Sequence, residues 1–135
     1  MSTIPSPLYW IEPPKGKRES ETELPLVFVC SPYRSVCRLI TWLNKQRAKL
    51  YCSYAAQRGK VPLAPHLIFT QFLDDGDLDE RDAGIYLGLQ LLRRCSEVWC
   101  FGGRLTDGMR TELEFAKKHS IPIRYFDSSC EELIL

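Results

Sequence analysis

The sequence lacks the features that would mark a metal-binding, secreted or membrane protein. Its six cysteines include no CxxC pair and no metal-ligand spacing. No apolar run approaches the ~20 residues that a membrane-spanning helix needs. A polar, proline-rich segment follows Met1, where a secretory signal would have an apolar core. These absences favour a cytoplasmic protein without a membrane partner.

The chain also has little net charge. Its 18 lysines and arginines nearly balance its 17 aspartates and glutamates, which leaves a formal net charge of +1. A general nucleic-acid binder needs a basic face to neutralise phosphates, and the two short basic clusters, 15–18 and 93–94, are both flanked by acidic residues. We therefore expect no nucleic-acid partner.

The 135 residues predict two parts, an N-terminal arm and one domain. Residues 1–23 contain four prolines and mixed charges, which predicts an extended arm rather than a helix. The apolar cluster 8–11 in this arm could dock on the chain's own domain or reach a neighbouring subunit. Residues 24–135 form the domain, and its apolar C-terminal residues are expected to pack on the domain or on a partner.

Apolar runs and helical periodicity alternate along the domain. The run 24–30 is typical of a buried parallel strand, and the helical pattern after it ends near Gly59. A long connection over 66–81 is typical of a loop that covers a ligand. The predicted strands are 24–30, 61–64, 97–101 and 122–126, and the predicted helices are 36–59, 80–94 and 107–119. This order predicts an α/β fold, a Rossmann-like or flavodoxin-like parallel sheet of four to five strands with helices on both faces.

Parallel strands place their following loops at one edge of the sheet, where open α/β folds bind ligands. The loop after the first strand contains Ser31, Tyr33, Arg34 and Ser35. Tyr33 could stack on a flat ring, and Arg34 could bind a phosphate through its planar guanidinium. A simple helix cap with a solvated arginine is an equally good interpretation of this loop.

The second loop begins with His66, which could act in acid–base chemistry or bind a ligand. No second histidine or acid stands at metal-ligand spacing from it, and a structural histidine is the more common case. The acidic run 74–79 resembles a calcium loop, but Ile85 occupies the twelfth position, where an EF-hand needs a glutamate. We expect no metal site.

The third loop, 102–108, leads into a helix that carries Glu112. Gly102 and Gly103 offer backbone N–H donors, and Thr106 or Asp107 is a natural N-cap. Gly108 would let a ligand approach the backbone closely. Because Glu112 lies near the positive end of the helix dipole, its anionic form is expected to be favoured. An ionised carboxylate could attack a sugar C1′, although a surface glutamate is the commoner interpretation of such a position.

Three segments, VFVCSPYRS, PLAPHLIFTQFLDD and TDGMRTELEFAKKHSIPI, together resemble the nucleoside 2-deoxyribosyltransferase-like superfamily. The similarity is strongest to a small branch of uncharacterised bacterial and phage proteins, and it covers residues 25–126. It implies cleavage of an N-glycosidic bond or transfer of a deoxyribosyl group, in a bacterial or phage-infected cell. It also implies that no cofactor is needed and that the protein forms a homo-oligomer.

The resemblance also implies roles for individual residues. Glu112, four residues after Gly108, matches the catalytic glutamate, and Asp107 would hold the sugar hydroxyls or orient the nucleophile. Tyr33 would lie near the base or sugar, and Arg34 and Ser35 would bind a 5′-phosphate. The full set of predicted nucleoside- or nucleotide-binding residues is Ser31, Tyr33, Arg34, Ser35, His66, Gly102, Gly103, Thr106, Gly108 and Met109.

Two positions depart from the superfamily pattern. Glu114 stands where a glycine is common, and no acid stands near Gly88, where the enzymes carry an aspartate that helps protonate the leaving base. Asp82 could replace that acid only if the connection turned it inward. A non-catalytic protein that senses or sequesters a nucleotide signal, for example in phage–host conflict, is therefore the alternative function. An assembly module that binds no nucleotide is a third possibility.

Overall fold

The computed structural model describes residues 23–74 and 76–134. The predicted N-terminal arm therefore lies almost entirely outside the described residues. The strands are β1 (Leu26–Cys30), β2 (Val61–Leu63), β3 (Glu97–Phe101), β4 (Ile123–Phe126) and β5 (Glu132–Leu133). The helices are α1 (Arg38–Gln57), α2 (Pro65–Ile68), α3 (Leu78–Leu92) and α4 (Asp107–Lys118), with a 3₁₀ turn at Phe69–Gln71 after α2.

The five strands form one sheet in the order β2-β1-β3-β4-β5. The first four are parallel, and β5 pairs with β4 in the antiparallel direction. Because β1, β2 and β3 are parallel, their C-terminal ends and following loops meet at one edge. The predicted α/β class and strand number are confirmed, and the apolar tail contributes the added edge strand β5.

Alternating side chains of the strands build two cores, one on each face of the sheet. Helix α1 covers one face, and α3 and α4 cover the other. The buried residues on the α1 side are Val27, Val29, Tyr51, Ala55, Ala64, Trp99, Phe101 and Phe126. Those on the α3–α4 side are Phe28, Cys30, Leu92, Cys95, Val98, Cys100, Met109, Leu113 and Ala116. The prediction of helices on both faces is confirmed.

The long connection after β2 differs most from the prediction, because it is largely helical. It contains α2, with Pro65 at its first turn, and the following 3₁₀ turn. Asp77 then caps α3 by accepting hydrogen bonds from the N–H groups of Asp79 and Glu80, at 2.9 and 3.1 Å. Helix α3 therefore begins two residues before the predicted start, and the connection forms a wall beside the sheet edge.

In the part of the chain that the structure describes, no helix combines the length and the apolar character needed to cross a membrane.

Candidate functional site

A cleft of about 310 Å³ lies at the edge of the sheet where β1, β2 and β3 end. The loop after β1, the segment 65–73, helix α3 and the start of α4 form its walls. Nine of the predicted site residues line it: Ser31, Tyr33, Arg34, His66, Thr106, Asp107, Gly108, Met109 and Glu112. Tyr33 and Glu112 therefore share one cavity, although they are far apart in the sequence.

Helix α4 positions Glu112 in the wall of the cleft. The helix begins with Thr106 as its N-cap, whose Oγ1 accepts a hydrogen bond of 3.2 Å from the Met109 N–H. Met109 and Leu113 are buried against the sheet. Since Glu112 lies between these two positions on the helix, it is half-buried at the boundary between the core and the cleft.

Burial controls the electrostatics of Glu112. It raises the pKa of this carboxyl from 4.5 to about 7, and a hydrogen bond with the Cys30 side chain lowers it in part. The expectation that the helix dipole favours the anionic form is therefore wrong, because the loss of hydration outweighs it. A carboxyl group with this pKa is present in both protonation states near neutral pH.

The thiol that lowers the pKa of Glu112 belongs to a pair of buried cysteines. Cys30 and Cys100 are register partners on β1 and β3, and both are at most 1% exposed. A hydrogen bond with Cys100, followed by burial, raises the pKa of Cys30 well above its ordinary value, so Cys30 remains a protonated donor. The Cys30 Sγ also lies 4.0 Å from the backbone oxygen of Met109.

Tyr33 and His66 bring two flat rings together in the cleft. Their ring centroids are 4.8 Å apart, with an angle of 36° between the planes. The loop that carries Tyr33 is fixed by Asn44 of α1, whose Nδ2 donates a 3.0 Å hydrogen bond to the Tyr33 carbonyl. This pair gives one part of the cleft a wall on which a planar group can stack.

Asp107 lies at the exposed rim rather than inside the cleft. Its side chain is 97% exposed, and its Oδ1 accepts a 3.0 Å hydrogen bond from the Arg110 guanidinium. The Asp107 carboxylate is therefore held in an exposed ion pair with Arg110 at the mouth of the cleft.

Three predicted residues lie outside the lining of this cleft. Ser35 borders a second cavity of about 270 Å³, which shares Tyr33 and Arg34 with the cleft and also contains Arg38. Gly102 has φ +91, and its N–H donates a 3.0 Å hydrogen bond to the Phe126 oxygen. That donor stabilises the end of the sheet instead of binding a ligand. Gly103 follows it in the same exposed turn.

The cleft also contains lining residues that the sequence did not single out. Glu80 and Arg81 contribute charge from the first turn of α3. The others are the apolar or small residues Pro65, Phe69, Thr70, Leu73, Gly84, Ile85 and Gly88. The sequence did not single out Glu80, because the acidic segment that precedes it indicated only a turn. The helical form of the connection is what turns Glu80 toward the cleft, and Asp82 is not among the lining residues.

Within residues 23–74 and 76–134, no group of three or more His, Cys, Asp or Glu side chains is arranged to hold a metal ion.

Comparisons with known proteins agree with this architecture. The search of solved structures found a 2-deoxyribosyltransferase from the psychrotolerant bacterium Bacillus psychrosaccharolyticus, with a TM-score of 0.56 and 15% identity. The match covers 81% of this chain and 76% of that chain, and it shows a shared fold. The comparison with curated proteins gave no match. A family profile described as "Domain of unknown function (DUF7768)" matches residues 25–126. The chain therefore belongs to the DUF7768 family.

Proposed function

We propose that the protein binds a nucleoside or nucleotide in the cleft and cleaves or transfers its N-glycosidic bond through Glu112. The observation that carries this proposal is the position of Glu112, a half-buried carboxyl with a pKa raised to about 7 in the wall of the cleft. The fold shared with a 2-deoxyribosyltransferase supports the same class of ligand. A desolvated carboxylate is a suitable nucleophile because little water must leave it before attack.

In the first step, an ionised oxygen of Glu112 attacks C1′ of the sugar. The C1′–N bond breaks, its electron pair goes to the base, and a glycosyl ester forms on Glu112. In the second step, water or the nitrogen of another base attacks C1′, and the electron pair of the ester C–O bond returns to Glu112. The proton that the attacking group loses goes to the residue that protonated the leaving base in the first step. Water as the acceptor gives hydrolysis, and a base gives transfer.

The leaving base needs a proton, and two residues of the cleft could supply it. Glu80 is half-buried in the lining, and one of its oxygens accepts a 3.2 Å hydrogen bond from the Asp74 N–H. His66 also lines the cleft, next to Tyr33. Such a donor contributes typically 10²–10⁴-fold to the rate. Glu80 therefore brings a carboxyl group into the cleft that the sequence around Gly88 did not reveal.

A substrate phosphate would fit the second cavity. Arg34 borders both cavities, and Arg38 adds a second guanidinium beyond it. Guanidinium groups bind phosphate oxygens through paired hydrogen bonds. We therefore include nucleoside monophosphates among the proposed substrates.

Incubation with nucleosides, 2′-deoxynucleosides and their monophosphates tests this function, with the free base measured by chromatography. The wild type should release base or exchange it for an added one. Glu112→Gln should lower the rate by at least about 10³-fold, since it removes the nucleophile and keeps the shape. Glu114→Gln is the matched control, because Glu114 is an exposed glutamate of the same helix. Equal base release by the two variants would remove Glu112 from the mechanism.

The second proposed function is a non-catalytic protein that senses or sequesters a nucleotide. The absence of an acid at Gly88 favours it, because the enzymes that the sequence resembles carry an acid there to protonate the leaving base. Glu80 lines the cleft from a different position on α3. This function predicts tight retention of a nucleotide without turnover, and a bound ligand that mass spectrometry detects after purification. Base that accumulates over many turnovers would exclude binding as the only role.

We further propose that the protein is a homo-oligomer. Several large apolar side chains of α1 are exposed, including Leu39 at 63% and Trp42 at 56%. Surfaces of this kind commonly mark contacts between proteins. Light scattering should give a mass above that of one chain, and Trp42→Asp should lower it. A monomer at working concentration would contradict this proposal.

A further inference from the structure

Ser31 is a buried polar residue of the cleft whose hydroxyl is unused in the fold. It directly follows β1, is 5% exposed and lines the cleft. Within residues 23–74 and 76–134, its Oγ is buried and has no hydrogen-bond partner. A buried hydroxyl without a partner lowers stability, because it loses its bonds to water and gains none in return.

Asn44 and Ser53, the two other polar residues that are fully buried in the described part of the chain, do not share this property. Asn44 is 6% exposed and donates a 3.0 Å hydrogen bond to the Tyr33 carbonyl. Ser53 is 8% exposed, and its Oγ accepts a 3.2 Å hydrogen bond from Gln57. Asn44 and Ser53 therefore use their buried polar groups within the fold, whereas the Ser31 hydroxyl, in the ligand cleft, does not.

We infer that the Ser31 hydroxyl is the hydrogen-bond partner of a sugar hydroxyl of the ligand. This inference rests on the proposed function and names the sugar as the part of the ligand that Ser31 recognises. A serine hydroxyl both donates and accepts, and a sugar hydroxyl does the same, whereas a phosphate only accepts. A serine hydroxyl changes direction by rotation about χ1 alone.

The location of Ser31 agrees with a sugar rather than a base. The Sγ of Cys30, one residue earlier, lies 4.0 Å from the backbone oxygen of Met109, at the start of the helix that carries Glu112. A sugar whose C1′ is within reach of Glu112 therefore lies beside the end of β1. A base attached to C1′ would then have room to extend toward the rings of Tyr33 and His66, which line the same cleft with their centroids 4.8 Å apart.

Such a hydroxyl would act as a specificity determinant. A site that is built to bond a substrate hydroxyl discriminates against an analogue without it, because the protein group is then left buried and unpaired. The ligand with the matching hydroxyl should bind roughly 10-fold or more tightly than the corresponding deoxy analogue.

The first part of the test measures the stability of the ligand-free protein. Ser31→Ala removes the unpaired oxygen and should raise the melting temperature by roughly 3–5 °C. Ser53→Ala is the matched control. It removes a buried serine hydroxyl that has a partner, and it should lower the melting temperature. A fall for Ser31→Ala as large as that for Ser53→Ala would mean that the fold itself uses the hydroxyl, and would overturn the inference.

The second part measures binding by calorimetry to ribonucleosides and to their 2′-deoxy, 3′-deoxy and 5′-deoxy analogues. Both proteins carry Glu112→Gln so that no substrate is consumed, and one also carries Ser31→Ala. One of the deoxy analogues should bind the Ser31 protein roughly 10-fold more weakly than the parent nucleoside. That difference should disappear in the Ser31→Ala protein. If Ser31→Ala weakens the binding of the parent nucleoside and of every deoxy analogue by the same factor, the inference is overturned.

The two proposals fail in different ways. If Glu112→Gln abolishes base release but Ser31→Ala changes no hydroxyl preference, the reaction stands and the role of Ser31 is wrong. If no nucleoside or nucleotide binds to the wild type, the proposed function fails, and the inference about the sugar fails with it.

Discussion

The Cys30 Sγ lies 4.0 Å from the backbone oxygen of Met109, so the last residue of β1 packs against the start of α4, the helix that carries Glu112. Burial raises the pKa of Glu112 and the Cys30 side chain lowers it, and burial has the larger effect. The protonation of the proposed nucleophile therefore depends on packing at the sheet edge as well as on its position in the helix.

A first prediction concerns the pH dependence of base release. The pKa of Glu112 is about 7, and only the ionised form attacks C1′. Below pH 7, kcat/KM should fall about tenfold per pH unit, and above pH 7 it should approach a plateau. Initial rates between pH 5 and pH 9 measure this fall in kcat/KM and its midpoint. A midpoint near 4.5, the ordinary value for a glutamate, would show that burial does not control Glu112 in solution.

A second prediction isolates the contribution of the Cys30 thiol. Cys30→Ala removes the hydrogen bond that lowers the pKa of Glu112, so the midpoint of the pH–rate profile should move to higher pH. Activity at pH 7 should fall roughly two- to tenfold. Cys30→Ser keeps a donor at this position and should restore the midpoint toward that of the wild type.

Cys95→Ala is the control for this change. Cys95 is also a buried cysteine, but its Sγ donates a 3.4 Å hydrogen bond to the Leu91 oxygen of its own helix end. Its replacement should leave the midpoint unchanged. The same shift in both variants would attribute the effect to general loosening of the core rather than to the thiol.

A third prediction follows from the same pKa and concerns stability. Between pH 4.5 and pH 7 the folded protein holds a proton on Glu112 that the unfolded chain releases. The contribution of Glu112 protonation to the free energy of unfolding is therefore fully present below pH 4.5, and it is lost as the pH rises through 7. Glu112→Gln should be more stable than the wild type at pH 8, by about 2 kcal/mol, and equally stable at pH 4.

Urea unfolding at several pH values measures this difference. The comparison of the variant with the wild type cancels the contributions of the other titrating groups. Glu114→Gln, at an exposed position, should show no comparable change with pH. An excess stability of Glu112→Gln that is constant from pH 4 to pH 8 would argue against a raised pKa.

The sequence predicted the sheet and its ligand edge well because buried strands have a strong local signal. The run at 97–101 is the strand β3, and helix α4 differs from its predicted bounds by one residue. The juxtaposition of Tyr33 and Glu112 followed from parallel topology, since both segments begin where a strand ends. These features depend on periodicity and on chain order, which are both visible in a sequence.

The electrostatics of the cleft could not be predicted in the same way. The dipole of α4 is a local property, whereas the burial of Glu112 depends on Cys30 and on the packing of β1 against the helix. Similarly, Glu80 is one of several acids in its segment, and its place in the cleft depends on the helix that Asp77 caps. The unpaired state of the Ser31 hydroxyl is a property of its surroundings and has no sequence signal.

A final prediction concerns the ring pair in the cleft. Tyr33→Leu removes the flat surface beside His66, and the affinity for nucleosides should fall roughly fivefold to tenfold as stacking is lost. Tyr33→Phe keeps the ring and should retain most of the affinity. Tyr86→Leu serves as the control, because Tyr86 is 63% exposed on α3 and is not among the lining residues of the cleft. Calorimetric titration in the Glu112→Gln background compares the three variants. If Tyr33→Leu binds as tightly as Tyr86→Leu, the base does not stack on Tyr33, and the ligand must lie in another part of the cleft.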